Sequence, residues 1–283
     1  MSHVPRTYGP RPWQQQHWDF RAALNFMFGG AGAGLLVAAA VSGQAGDLLR
    51  AQILLGLALI GAGLASVWLE IGRPLRALNV CINPFTSWMT RESFVAALVF
   101  PLGLAAVWIG PGVLVDACAL AALGFVYCQG RILRAAKGIP AWREPAVVAL
   151  IITTGLVEGA GLATLILALA GTGAAALTGM FVLALLARAF AWSIYRGRIA
   201  VGVRGPALAL LDDAGKPMIQ LGTIAALALL PALLVAPDLA AVVLLLSVGA
   251  ALATGWRVKF VLLTRAAFNQ GFALPHLPVR GSR

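Results

Sequence analysis

Between Trp68 and Glu92 the chain reads WLEIGRPLRALNVCINPFTSWMTRE, a polar interval between two long apolar runs. One of its two carboxylates, Glu70, stands at the end of the first run, followed by the guanidiniums of Arg73, Arg76 and Arg91, with Asn79 and Trp88 in the same interval. A carboxylate at the edge of an apolar phase is costly unless it is paired or exchanges protons, so Glu70 is the first candidate for chemistry. Glu92 falls where Ser87 predicts a helix start, and first-turn placement accounts for it without a functional role. Two further segments carry polar groups to the same level: Asn25 lies one turn inside the first apolar run, and Tyr127, Gln129 and Arg131 lie at the end of the fourth.

The elements that must position these groups are membrane helices. The 283 residues are 60% hydrophobic and 11% charged, and the mean hydropathy is +0.89, which places the chain among multi-span membrane proteins. A span needs about 20 mostly apolar residues, and eight windows meet that need: 20–43, 50–71, 93–110, 113–135, 145–170, 173–195, 217–236 and 238–260. The fold class expected is all-α, with eight transmembrane helices in two four-helix bundles, 18–137 and 138–264, flanked by tails 1–17 and 265–283. Gly30-Ala31-Gly32 and Gly159-Ala160-Gly161 occupy matching places in the two halves, which suggests a parallel internal repeat.

The net charge of +11 does not indicate nucleic acid, because the cations sort by membrane side. Nineteen of the 21 Arg and Lys residues fall in the tails and after the even-numbered spans; Arg50 lies opposite and Arg188 lies within span six. The positive-inside rule therefore predicts both termini and these loops in the cytoplasm, with anionic lipid as a second use of the same charges. No signal-peptide pattern is read at the start, and insertion by span one is expected. The Pro-rich tail before Trp18 suits a partner-facing role.

Cofactor chemistry of the chain's own is not expected. His3, His17 and His276 all lie in the tails, so no span offers a histidine pair for haem. Cys81, Cys118 and Cys128 lack the spacing of a cluster or zinc site. What remains is a pocket at the membrane edge with Asn25, Glu70, Arg76, Asn79, Trp88, Arg91, Tyr127 and Arg131 as polar candidates. Such a set suits a quinone head, which needs hydrogen-bond donors at its carbonyls, a proton-exchanging group and an apolar cleft for its tail. A transporter site can use the same groups, and Glu158 in span five with Arg188 in span six would pair or line a proton path in either reading. A tether with no quinone site is the third alternative.

WLEIGRPLRALN followed by NPFTSWMTRE resembles the loop after span two in membrane-anchor subunits of DMSO reductase-type molybdoenzymes. WDFRAALNFMFGGAGAGL resembles the first span of that family and of the related polysulfide reductase membrane subunits, and YCQGRILRAAKGIPAW is similar to its end of span four. The resemblance implies an eight-span anchor in the bacterial cytoplasmic membrane that binds menaquinone or ubiquinone. It also implies a four-cluster [4Fe-4S] ferredoxin-like subunit and a molybdenum or tungsten bis-pterin catalytic subunit as partners. Gly72, Arg76 and Asn79 match the family motif, whereas Glu70 stands where the relatives carry a histidine implicated in quinol binding. The family's familiar members work outside the membrane, while the charge distribution here predicts a cytoplasm-facing complex. The anchors of phenylacetyl-CoA:acceptor oxidoreductases, which the chain also resembles, fit that sidedness.

Overall fold

The computed structural model describes residues 12–70, 79–80, 82–173, 175–203 and 205–270, apart from the side chains of Glu70 and Pro237. Among these residues eight helices are long and apolar enough to cross a membrane. They are α1 (Phe20–Val41), α2 (Gly46–Glu70), α3 (Trp88–Ile109), α4 (Val113–Ala135), α6 (Ala146–Leu169), α7 (Ala175–Gly202), a span opened by α8 (Gly205–Ile219) and one opened by α11 (Ala240–Phe260). The short α5 (Pro140–Arg143), α9 (Ala226–Leu229) and α10 (Ala232–Val235) complete the set.

Three windows open earlier than hydropathy suggested, the second at Gly46 rather than 50 and two others by more. The third span starts at Trp88 rather than 93, because the Ser87 hydroxyl accepts the Thr90 amide and sets the N-cap there. The seventh starts at Gly205 rather than 217. Asp212 and Asp213, expected in a loop, lie on α8 and are neutralised by Arg196 of α7 and by Arg257 of α11, the latter at 2.6 Å. Charges paired this way let a polar segment remain helical near the membrane edge.

α1 and α6 form the centre, with 67% and 61% of their spanning windows buried against 28% to 50% for the other six. Small residues account for this. A Cβ on Gly159 would stand 1.9 Å from the Gly34 carbonyl carbon, and one on Gly34 would stand 2.0 Å from the Gly155 oxygen. Gly155 and Gly159 of α6 thus meet Gly30 and Gly34 of α1 backbone to backbone, the close crossing that small residues allow in membranes, whereas Gly32 faces α2 and Gly161 faces α7 and α11.

The other exceptions to regular helix have local causes. Residues Gln220–Ala225 and Val261–Arg265 are π-helical, a geometry that releases carbonyls from the ordinary ladder. Buried Arg188 donates to the freed Gly222 carbonyl at 2.7 Å and to that of Ala251 at 2.9 Å. Trp142 of α5 donates its indole N–H to the Leu262 carbonyl at 2.8 Å.

The described ends of the chain are clasped together. Gln14 pairs antiparallel with Phe268, Gln15 N–H donates to the Ala267 carbonyl at 2.8 Å, and the Gln15 amide reaches Leu263 O at 3.0 Å. This clasp delivers His17 and Trp18 to the top of α1. Asp19 then caps the helix through the Arg21 amide, and the hydrogen bond from the Arg21 side chain holds its carboxyl below the usual carboxylate range.

Candidate functional site

A cavity of about 450 Å³ opens at the end of the bundle where α1 begins and α2 ends. Each of three helices offers it the same register. α1 presents Ala22, Asn25 and Phe26, α2 presents Leu64, Val67 and Trp68, and α3 presents Met89, Glu92 and Ser93. Each trio is an i, i+3, i+4 set, which a helix places on one face. Ile132 of α4, Val80, and the clasped His17 and Trp18 complete the lining.

The walls are mainly apolar; Asn25 and Glu92 are buried, whereas His17 is exposed. The Asn25 side-chain amide donates to Glu92 Oε1 at 3.4 Å. Gln129 of α4, fully enclosed, donates to the Asn25 backbone carbonyl at 2.9 Å. Two glycines make this possible. A Cβ on Gly29 would lie 2.6 Å from the Gln129 amide nitrogen, and one on Gly63 would lie 3.1 Å from Asn25 Oδ1. That Oδ1 is buried with no hydrogen-bond donor of its own among the described residues.

At the mouth, Trp18 packs against Trp142 and Phe26, with ring centroids 4.9 and 6.0 Å away. The Thr90 hydroxyl donates to the Val80 carbonyl, fixing the segment before α3 against that helix. A narrow polar base under aromatic and aliphatic walls can hold a flat, apolar molecule with one or two oxygens directed inward.

The structure divides the residues singled out from sequence into four groups. Asn25 lines the cavity. Trp88, Arg91, Tyr127 and Arg131 do come together, but outside it. The guanidiniums of Arg91 and Arg131 each lie 4.1 Å from the Trp88 ring centroid, and Tyr127 meets that ring edge-on at 5.8 Å. Arg131 also donates to the Tyr127 hydroxyl, and Arg91 donates to the Pro84 and Phe85 carbonyls. Tyr127 and Gln129 were expected to converge, yet residues two apart on a helix face away from each other, and only Gln129 turns inward. Asn79 is exposed and outside the lining. Gly72, Arg76 and the Glu70 side chain lie outside the described residues.

Glu158 and Arg188, expected to pair, take different partners. Glu158 bonds to Lys259 at 2.6 Å, both side chains being buried, and Arg188 is held by backbone carbonyls. Lys259 had been counted with the basic end of the chain, but it lies on α11 facing the Gly30 backbone of α1. Glycine 30 leaves the space for it, since a Cβ there would meet the Lys259 nitrogen at 2.5 Å.

The sequence reading missed Glu92 and His17 as cavity residues, and it did not foresee that Gln129 would sit enclosed behind them, bonded to the Asn25 backbone. The Ser87 cap was the signal for Glu92, but it suggested a place in the first turn, whereas a helix beginning at Trp88 puts residue 92 beyond that turn, where it is buried.

The sequence profile of the DMSO reductase anchor subunit (DmsC) matches residues 30–205, more than half of the chain. The chain belongs to the DMSO reductase anchor subunit family. No curated protein matched it individually. Membership makes this a membrane anchor subunit of a molybdoenzyme, and the family implies association with catalytic and iron-sulfur subunits. Of the cavity lining, Val80 and the residues on α2, α3 and α4 fall within the matched region, whereas His17, Trp18 and the α1 trio Ala22, Asn25 and Phe26 precede it.

Proposed function

We propose that this anchor binds a menaquinone or ubiquinone in the cavity between α1, α2 and α3, and that Glu92 serves its proton exchange. The observation that carries the reading is a buried carboxyl at the base of an otherwise apolar cavity, steadied by Asn25 and open to the membrane edge. The quinone head fits this donor set. Asn25 Oδ1, without a donor, can accept from a quinol hydroxyl, Glu92 can give or take a proton at the same oxygen, and the aliphatic face of α2 suits an isoprenoid tail. When bound, the quinone would supply the two-electron redox chemistry that the chain's own residues lack.

The protein's part is to bind, orient and move protons. Trp18, Phe26 and Trp68 exclude water from the walls, and Asn25 keeps the carboxyl of Glu92 directed into the cavity. His17 at the mouth offers an imidazole on the way to bulk water. In the assembled complex, electrons would pass between this site and a four-cluster [4Fe-4S] ferredoxin-like subunit wired to a molybdenum or tungsten bis-pterin catalytic subunit.

The charge asymmetry supports placing this end, and the partner subunits, in the cytoplasm, which makes turnover electroneutral because protons are exchanged on one side. The deciding experiment uses the assembled complex with Glu92→Gln. Quinone-linked turnover should fall at least about tenfold while turnover with an artificial electron acceptor is unchanged. Unaltered quinone-linked turnover would falsify the assignment and move the site toward the segment after Glu70.

A further inference from the structure

A second cavity, of about 440 Å³, lies at the same end of the bundle but on another side, where α4 and α7 finish and α6 begins. Four cations line it: Arg134, Lys137, Arg143 and Arg198, against one carboxylate, Glu144. Glu144 is already engaged by Arg198 at 3.3 Å, and Arg143 donates to the Gln270 side chain at 2.5 Å. Arg134 and Lys137 have no carboxylate partner among the described residues. Concave, cation-rich and placed where helices leave the membrane, the cavity has the chemistry of a phosphate site.

The surface below it identifies the phosphate's carrier. Pro145, which lines the cavity, begins a face of α6 that continues through Ala149, Ile152 and Leu156, all of them at least partly exposed. On α7 the exposed side leading up to Arg198 carries Leu183, Leu186 and Phe190, exposed by 69%, 51% and 69%. An acidic protein segment docked on the cations would make no use of this membrane-facing path. A molecule with a phosphate at one end and acyl chains at the other covers both.

We infer that the cavity is a binding site for one anionic phospholipid, its phosphate held by Arg134 and Lys137 and its acyl chains lying along α6 and α7. The inference does not rest on the quinone reading. The lipid would fill the surface beside the N-terminus of α6, the central helix of the second half, and so brace the α6–α7 contact from outside.

The test is a lipid titration of the purified full chain in detergent, followed by native mass spectrometry and thermal unfolding, with phosphatidylglycerol, phosphatidylcholine and inorganic phosphate as probes. Phosphatidylglycerol should bind and raise the unfolding temperature, whereas phosphatidylcholine and phosphate should not. Arg134→Gln with Lys137→Gln should weaken phosphatidylglycerol binding roughly twenty-five-fold, at about fivefold for each cation. Arg50→Gln, a paired surface cation at the opposite end, should leave it unchanged. Three results overturn the inference: equal phosphatidylglycerol affinity in the double variant, protection by inorganic phosphate equal to that by lipid, or a double variant that keeps its lipid but no longer co-purifies with partner subunits. The last would make the cavity a protein-docking surface.

Discussion

The Asn25 amide meets the Glu92 carboxylate across 3.4 Å, joining α1 to α3 at a depth where neither group reaches bulk water. Each residue is placed by its helix register, and the two together supply the cavity with both a fixed dipole and an exchangeable proton. Asn25→Ala should leave the carboxyl in place but undirected. The expected outcome is a quinone-linked kcat reduced by about tenfold with a smaller change in KM, measured in the assembled complex alongside Glu92→Gln. Equal losses with an artificial acceptor would show damage to the complex instead of to the site.

His17 reaches the cavity from outside the spans and touches its mouth, not its base. His17→Ala should therefore raise the KM for a water-soluble quinone analogue a few-fold while kcat changes less than in Glu92→Gln. A loss in kcat as large as that of Glu92→Gln would place the imidazole in the proton step itself.

The buried pair of Glu158 and Lys259 gives a sharper stability test. Removing one member leaves an uncompensated charge among apolar groups, which costs roughly 3–5 kcal/mol, so Lys259→Met should lower the unfolding temperature strongly. Glu158→Gln combined with Lys259→Met should recover much of the loss. If the double variant is no better than the single, the pair is not an isolated unit and the neighbouring Arg188 shares Glu158.

At the α1–α6 crossing, Gly159→Ala forces a methyl into the Gly34 backbone and should destabilise the chain by about 1–3 kcal/mol. Gly179→Ala on α7, where nothing lies within 4 Å of the added atom, should be neutral or slightly stabilising. Thermal unfolding in one detergent compares the two directly.

Hydropathy and length sufficed for the eight spans, because bilayer thickness imposes a residue count that any sequence must meet. Glycine runs announced close helix contact but not its partners, since their similarity suggested a repeat between two bundles and not the α1–α6 crossing. Side-chain direction was harder. Tyr127 and Gln129 look like neighbours in a list of polar residues, yet helix geometry sends one to Trp88 and the other to Asn25. Glu92 depended on a helix boundary a few residues from where hydropathy put it, and that shift moves it from a capping position to a buried wall. Lys259 read as one more cation in a basic region; only the gap left by Gly30 on a distant helix explains its burial. The partners of a buried charge are set by which helices touch, and a local pattern in one sequence carries little of that.

The clasp between Gln14–Gln15 and Ala267–Phe268 also orders events in the life of the chain. The wall bearing His17 is synthesised first, but what holds it belongs to the end of the eighth span, so the mouth stays unfinished until that span is in the membrane. A nascent or partly inserted anchor would carry α1 to α3 and their carboxyl without the wall that restricts entry. If the cavity binds quinone as proposed, binding competence arrives late in biogenesis, and a chain arrested before α11 would be assembled enough to sit in the bilayer yet not enough to complete the cavity mouth.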